Sequence, residues 1–324
     1  MSLTRTSLII FTMRFSNMGL MMIGPLVLAR LLSVYEFGQY REFLVYSGAL
    51  MTISAFCLSA VLMYLVPAHP ERTWALVGQT ATLTAVSALV FAGIAAGVNL
   101  LAGGGLYGPF GQEALIYALL YVSLDFWEYF FLAQKKAATA FYYTSGRLAL
   151  RLTTVTIVAV VTHSIHAVIY SLLIIEMLRV MSSAVAWKLM YRPEPAGGQS
   201  LWAVQLRYSF PLGISLLLET INNYAGSILI SMSLGAIALA HYSVGTYAVP
   251  VLYMLRNSVS DALLPHMATH QQSNHGSINL EPWHRANTIF AMVLIPVGIL
   301  LARYAETIVV VLFSERYVAA VVVL

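Results

Sequence analysis

The chain has 324 residues, of which 60% are hydrophobic and 9% are charged, against roughly 25% charged in an ordinary soluble domain. Seventeen Lys and Arg and thirteen Asp and Glu cannot cover that much apolar surface in water. This excludes a soluble enzyme, a disordered chain and a nucleic-acid binder. Cys57 is the only cysteine, so there is no intrachain disulfide and no Cys-based metal site.

The apolar runs are long and do not alternate, so they predict spanning helices rather than barrel strands. The first covers 8–32. It is too long for a signal peptide, carries Arg14 and Arg30, and precedes no cleavage site. The second covers 43–66. The third, 74–101, holds no charge, and its Gly93-Ile-Ala-Ala-Gly97 predicts close helix packing. The fourth, 114–134, sets Tyr117, Tyr121, Asp125 and Glu128 on one face. The fifth, 141–161, does the same with Thr144, Arg147, Arg151 and Thr154. The sixth, 166–187, carries Glu176 and Arg179. The seventh, 208–233, carries Ser215, Glu219, Asn222 and Gly226. The eighth, 239–264, carries Pro250, Tyr253, Asn257 and Asp261, and the ninth covers 286–304. A tenth begins near Tyr317, and Val318 to Leu324 are too few to cross a bilayer. The expectation is therefore a sequence cut inside a helix.

An ionisable side chain at mid-membrane costs about 2.5–3.5 kcal/mol on insertion scales, so each one here needs a reason. Two readings stand side by side. Asp125 and Glu128 neutralise Arg147 and Arg151 across neighbouring helices, with Glu176 and Arg179 a local pair. Alternatively, the arginines face a cavity and hold an anion, which Arg suits by its planar fork of donors. Arg14, Asn222 and Asn257 are further cavity candidates. Glu219 and Asp261 are candidates for binding a coupling H⁺ or Na⁺. Arg30 and Arg41 read as interfacial groups that snorkel.

Orientation follows from the basic residues. With the N-terminus inside, the cytoplasmic segments hold Arg5, Arg72, Lys135, Lys136, Lys188, Arg192, Arg207 and Arg285. The opposite side holds Arg41, Arg303 and Arg316. The longest connections, 188–207 and 265–285, are too short for an extracytoplasmic catalytic domain. Gly103-Gly104-Gly105 leads into no strand–helix unit and reads as a turn. No catalytic residue and no metal site is expected.

An internal repeat adds to this. Shifted by 202, residues 24–40 lie over 226–242, with Gly24 on Gly226, Leu26-Val27-Leu28 on Ile228-Leu229-Ile230 and Tyr40 on Tyr242. A unit of six helices repeats in parallel. The expected domains are an N-lobe of six helices at 1–192, a linker at 193–207 and an incomplete C-lobe at 208–324.

Arg30-Leu-Leu-Ser-Val-Tyr-Glu-Phe-Gly-Gln-Tyr40 resembles the segment that closes the first helix of polysaccharide-biosynthesis flippases. Ser209-Phe-Pro-Leu-Gly213, Ile221-Asn-Asn-Tyr224 and Ala240-His-Tyr-Ser-Val-Gly-Thr-Tyr247 resemble the start of their second half. Leu312-Phe-Ser-Glu-Arg-Tyr317 resembles their link before helix ten, with Ser314 where glycine is usual. These proteins belong to the multidrug/oligosaccharidyl-lipid/polysaccharide (MOP) exporter superfamily, and the resemblance extends to its O-antigen (Wzx-like) branch. It implies an all-α, two-lobe bundle around a cavity that opens alternately to each side. It implies a cargo of polyprenyl-diphosphate-linked oligosaccharide, moved from the cytoplasmic to the periplasmic leaflet of the bacterial inner membrane. It implies partners among membrane lipids, a polysaccharide polymerase and other assembly proteins, and no cofactor. A lipid II-type flippase and a cation-coupled multidrug exporter of the same superfamily are the alternatives. The first span carries Arg14, Asn17 and Arg30 and no acid, which favours an anionic cargo over a cationic drug.

The charge bias gives a direct expectation. Reporter fusions at Arg192 and at Gly104 report opposite sides of the membrane, with Arg192 cytoplasmic; the same side for both would mean the spans between them are miscounted.

Overall fold

The computed structural model describes residues 3–191, 201–247 and 281–323. These residues are helical, with no strand among them. They fall into two compact units, Met1–Ala240 and His241–Leu324.

In the first unit the helices are α1 (Leu3–Leu31), α2 (Val34–Ala55), α3 (Leu62–Ala68), α4 (Thr73–Leu101), α5 (Gly111–Val122), α6 (Trp127–Ala133), α7 (Ala137–Thr162), α8 (Ile165–Met190) and most of α9 (Trp202–Gly245). The stretches Pro70–Leu101, Gly111–Ala133, Ala137–Thr162, Ile165–Met190 and Trp202–Gly245 are long and apolar enough to cross a membrane. α2 begins nine residues before the apolar run predicted at 43–66. Ser33 starts it with a capping box: the Glu36 amide donates to Ser33 Oγ at 3.2 Å, and the Ser33 amide donates to the Glu36 carboxylate at 3.0 Å. Arg41, expected in an outside connection, therefore lies within α2. Removing it from the outside count turns eight against three into eight against two.

Two predicted spans are broken, not continuous. The run 43–66 divides into α2 and α3 around Phe56 and Cys57, both left-handed at φ 41° and 54°. The run 114–134 divides into α5 and α6 around Leu124, at φ 57°. A broken helix leaves carbonyls without partners, which hydrocarbon does not tolerate. Neighbouring helices supply the donors. Ser87 Oγ of α4 donates to Ser54 O at 2.6 Å. Gln205 Nε2 of α9 reaches Leu58 O at 3.4 Å and Thr80 Oγ1 at 2.6 Å. Beside these breaks, Val61, Leu62, Leu65, Leu76, Phe126, Trp127 and Phe130 form one buried cluster.

α9 is one helix by its hydrogen bonds, but Gly235 inside it has φ 79° and ψ −177°. Only glycine adopts that conformation without strain. The bend falls in the predicted outside connection 234–238. Most of the predicted eighth span, with Pro250, Asn257 and Asp261, lies outside the described residues.

α9 packs along α2 through glycine. A methyl at Gly38 would overlap the Ala236 carbonyl, and one at Gly48 would lie 2.6 Å from the Tyr224 hydroxyl. Gly93 and Gly97 in α4, expected to make such a contact, have open space around them. They lie on a face of α4 that no described helix covers, so small size there brings no backbone closer.

The second unit holds the end of α9, then α10 (Glu281–Arg303) and α11 (Ala305–Leu312), bent from each other by 74°. The segment expected to begin a tenth span is instead a 3₁₀ helix, Glu315–Val322. It packs back on α9: the His241 and Tyr317 rings lie 5.8 Å apart, and Gly245 abuts Val323 and Ala320.

Gly38→Ala is expected to cost about 1–3 kcal/mol through overpacking, read as a lower melting midpoint of the detergent-purified protein. Gly93→Ala, at an open helical position, leaves the midpoint unchanged or raises it.

Candidate functional site

The charges gather in the first unit around the break in the α5–α6 span. Arg179 sits one turn after Glu176 on α8, and its Nε donates to the Glu176 carboxylate at 2.6 Å. Its remaining donors turn to the break. Nη2 reaches the carbonyls of Leu120, Tyr121 and Ser123 at 2.6, 2.9 and 2.9 Å, and Nη1 reaches Leu124 O at 3.4 Å. A guanidinium has five N–H donors in a rigid fork. Here one arginine satisfies most of the carbonyls that a broken helix exposes.

Arg147 on α7 completes the network. Its Nη1 lies 2.7 Å from Asp125 and its Nη2 lies 3.2 Å from Glu176. The Tyr121 ring lies 4.3 Å from its guanidinium carbon, which adds a cation–π contact. Glu176 is 1% exposed and serves two arginines at once. Two arginines and two acids cancel, so the four groups are neutral together. Glu128 accepts a hydrogen bond from Thr144 Oγ1 at 2.9 Å. The contact between Arg147 and Glu176, across α7 and α8, has no counterpart in sequence spacing.

Arg151 is placed differently. It shares the α7 face with Arg147, one turn further along, yet no carboxylate pairs with it among the described residues. The Tyr117 ring lies 5.5 Å from its guanidinium carbon. The Tyr40 hydroxyl interacts with Arg151 and also with Arg41. Arg41 in turn meets Tyr224 of α9. Its Nε and the Tyr117 hydroxyl are buried without a hydrogen-bond partner. Donors therefore outnumber acceptors around Tyr40. Sequence spacing gives Arg41 and Tyr40 no place among the cavity residues, because the apolar run begins only at residue 43, whereas α2 begins at Val34. The Ser33–Glu36 capping pair was the available signal that it starts earlier.

The other predicted residues are scattered. Glu219 and Asn222 lie on the exposed side of α9. Arg14 lies in α1 with its side chain outside the described part, and Asn257 and Asp261 lie outside the described residues. Asn17 of α1 accepts from Ser145 Oγ of α7 at 2.9 Å, tying those two helices together. A separate cavity of about 520 Å³ beside α4 and α8 is lined by Trp74, Gly78, Gln79, Thr82 and Trp187, with no charged residue in its wall. Among the described residues no group of His, Cys, Asp or Glu is arranged to hold a metal ion.

Residues 3–271 match the polysaccharide biosynthesis protein family. The chain belongs to that family, which comprises the Wzx-like polysaccharide flippases of the MOP superfamily. No curated protein and no solved structure matches it. Polysaccharide biosynthesis proteins of this family are transporters and flippases rather than enzymes. The several apolar helices fit a multi-pass membrane protein.

Arg179→Ala uncovers four carbonyls at the break and leaves Glu176 with Arg147 alone. Breaking a buried pair in this way costs about 3–5 kcal/mol. The expected outcome is a loss of folded protein in the membrane, measured by detergent-resistant monomer in gel filtration. Arg179→Lys restores little of it, because a point charge does not reach both Glu176 and the carbonyls.

Proposed function

We propose that the chain moves a polyprenyl-diphosphate-linked oligosaccharide, an O-antigen or exopolysaccharide unit, from the cytoplasmic to the periplasmic leaflet by alternating access. Family membership supports the class of transporter. The single observation that supports an anionic cargo is the surplus of donors around Tyr40. Arg147 and Arg179 are already neutralised, while Arg151 and Arg41 have no carboxylate among the described residues. A diphosphate offers the acceptors these groups lack, and arginine binds it through paired, charge-assisted hydrogen bonds. A lipid II-type cargo shares that diphosphate. A cationic drug would meet like charge here and is disfavoured.

In this reading Arg151 and Arg41 hold the cargo's head group, with Arg14, Asn222 and Asn257 as further cavity positions. Arg147 keeps its place in the cavity only through the network that holds it. The two lobes are six-helix units, in the bacterial inner membrane with the N-terminus cytoplasmic. Glu219 and Asp261 are the candidates for coupling to H⁺ or Na⁺ from the sequence. A polysaccharide polymerase and other assembly proteins are the partners that receive the cargo.

The test compares Arg151 with Arg147 by membrane abundance and by complementation of surface-polysaccharide export. A lost charge-assisted hydrogen bond is worth about 1.5–3 kcal/mol. Arg151→Ala is therefore expected to insert normally while export falls about tenfold or more, and Arg151→Lys recovers it only in part. Arg147→Ala lowers abundance itself. Full export with alanine at both 151 and 41 would remove the anion site.

A further inference from the structure

Glu42 is the one acid of the α2–α9 contact that no cation answers among the described residues. It lies nine residues into α2, about 12 Å from the start of that helix at 1.5 Å per residue. It is 6% exposed. Ser231 Oγ of α9 donates to its Oε1 at 2.7 Å, and Tyr46 OH donates to Ser231 Oγ at 3.0 Å. Its Oε2 faces the backbone of Gly108, where a Cβ would come within 2.8 Å of it. No donor reaches Oε2 among the described residues.

The surroundings contain nothing that would hold a negative charge. The titratable groups facing Glu42 are phenols: Tyr46 from α2, and Tyr107 from the α4–α5 connection, whose ring lies 5.3 Å from that of Tyr46. Burial holds the Tyr107 phenol above its ordinary value, so it stays neutral. α9 offers only the Ser231 hydroxyl. α4 and α5 also pack on α2 and place no charged group against Glu42. Arg41, next in the chain, is engaged with Tyr40 and Tyr224.

We propose that Glu42 is a proton-binding site whose protonated carboxyl closes the α2–α9 seam and whose loss of that proton opens it. Protonated, the carboxyl is neutral, with Oε1 accepting from Ser231 and the proton on Oε2 beside Gly108. Ionised, it is an unpaired charge between two helices that touch backbone to backbone at Gly38 and Ala236. Such a charge costs several kcal/mol unless water reaches it. Parting the seam admits that water. The step is one proton leaving to solvent, with no other bond changed. On reclosure a proton from the same water returns to Oε2, while Ser231 and Tyr46 keep their hydroxyl protons. Only its use as a coupling site rests on the flippase reading; the seam itself does not.

The test uses the full chain, purified without cargo, on a Cys57→Ala background. Spin labels go at Tyr35→Cys on α2 and Leu234→Cys on α9, both exposed. With Glu42 in place, a single short distance is expected at acid pH. A longer one grows with pH on a one-proton curve, the open-to-closed ratio rising about tenfold per pH unit on its steep limb. With Glu42→Gln the short distance persists at every pH, because the amide mimics the protonated carboxyl. Infrared spectra of the same samples show the carbonyl stretch of a protonated carboxyl with Glu42 present, and this band is lost in Glu42→Gln. If Glu42→Gln does not insert, Ser231→Ala keeps the carboxyl, removes its donor and shifts the midpoint of the curve. A pH-independent distance with Glu42 present, an unchanged curve in Glu42→Gln or in Ser231→Ala, or an unchanged infrared band would each overturn the proposal. Failure of the export assay would leave these spectra as they are, so the two readings fail separately.

Discussion

Charge neutrality without water is the constraint on which this structure rests. The α5–α6 span breaks inside a membrane-spanning stretch, and the exposed carbonyls must find donors. Arg179 supplies them, but a buried guanidinium needs a counter-charge. Glu176 provides it and is shared with Arg147, which takes Asp125 as its second partner. Each member answers a need created by the one before. Helices α5, α7 and α8 are thereby fixed around one neutral polar knot, and the surplus arginine, Arg151, stands beside it one turn further along α7.

The placement of that surplus explains how a mostly apolar bundle carries a polar site. Aromatic rings line the arginines: Tyr121 against Arg147 and Tyr117 against Arg151. A ring face offers negative potential without a fixed negative charge. It steadies a cation and leaves the cation's hydrogen-bond donors unspent. A carboxylate in the same place would spend them.

Helix content and the face-sharing of Arg147 with Arg151 were legible in the sequence, because apolar length and the 3.6-residue period survive in any fold. Asp125 opposite Arg147 was legible for the same reason, as complementary stripes on neighbouring spans. The breaks at Phe56 and Leu124 were not legible. Neither carries proline or glycine, and the Ser123 and Asp125 that flank Leu124 read equally well as polar positions on a continuous helix face. They are imposed by tertiary partners, Gln205 and Arg179, that lie far along the chain. Gly93 and Gly97 misled in the opposite direction. A small-residue spacing states that two backbones can approach, and the partner helix decides whether they do. Glu42 was not legible either: it lies outside the apolar run that starts at residue 43, and only the helix start at Ser33 and Glu36 moves residues 34–42 into the bundle.

The break between α5 and α6 also sets an order of assembly. Its carbonyls depend on Arg179, which is made more than fifty residues after them. While only the first part of the chain has entered the bilayer, nothing nearby can bond those carbonyls, and the unbroken helix is the form that satisfies them. The bend therefore belongs to the finished bundle. There it trades intrahelical bonds for those of one side chain. A nascent chain halted before residue 179 would carry a straight fourth span, and the polar knot would have no founding member.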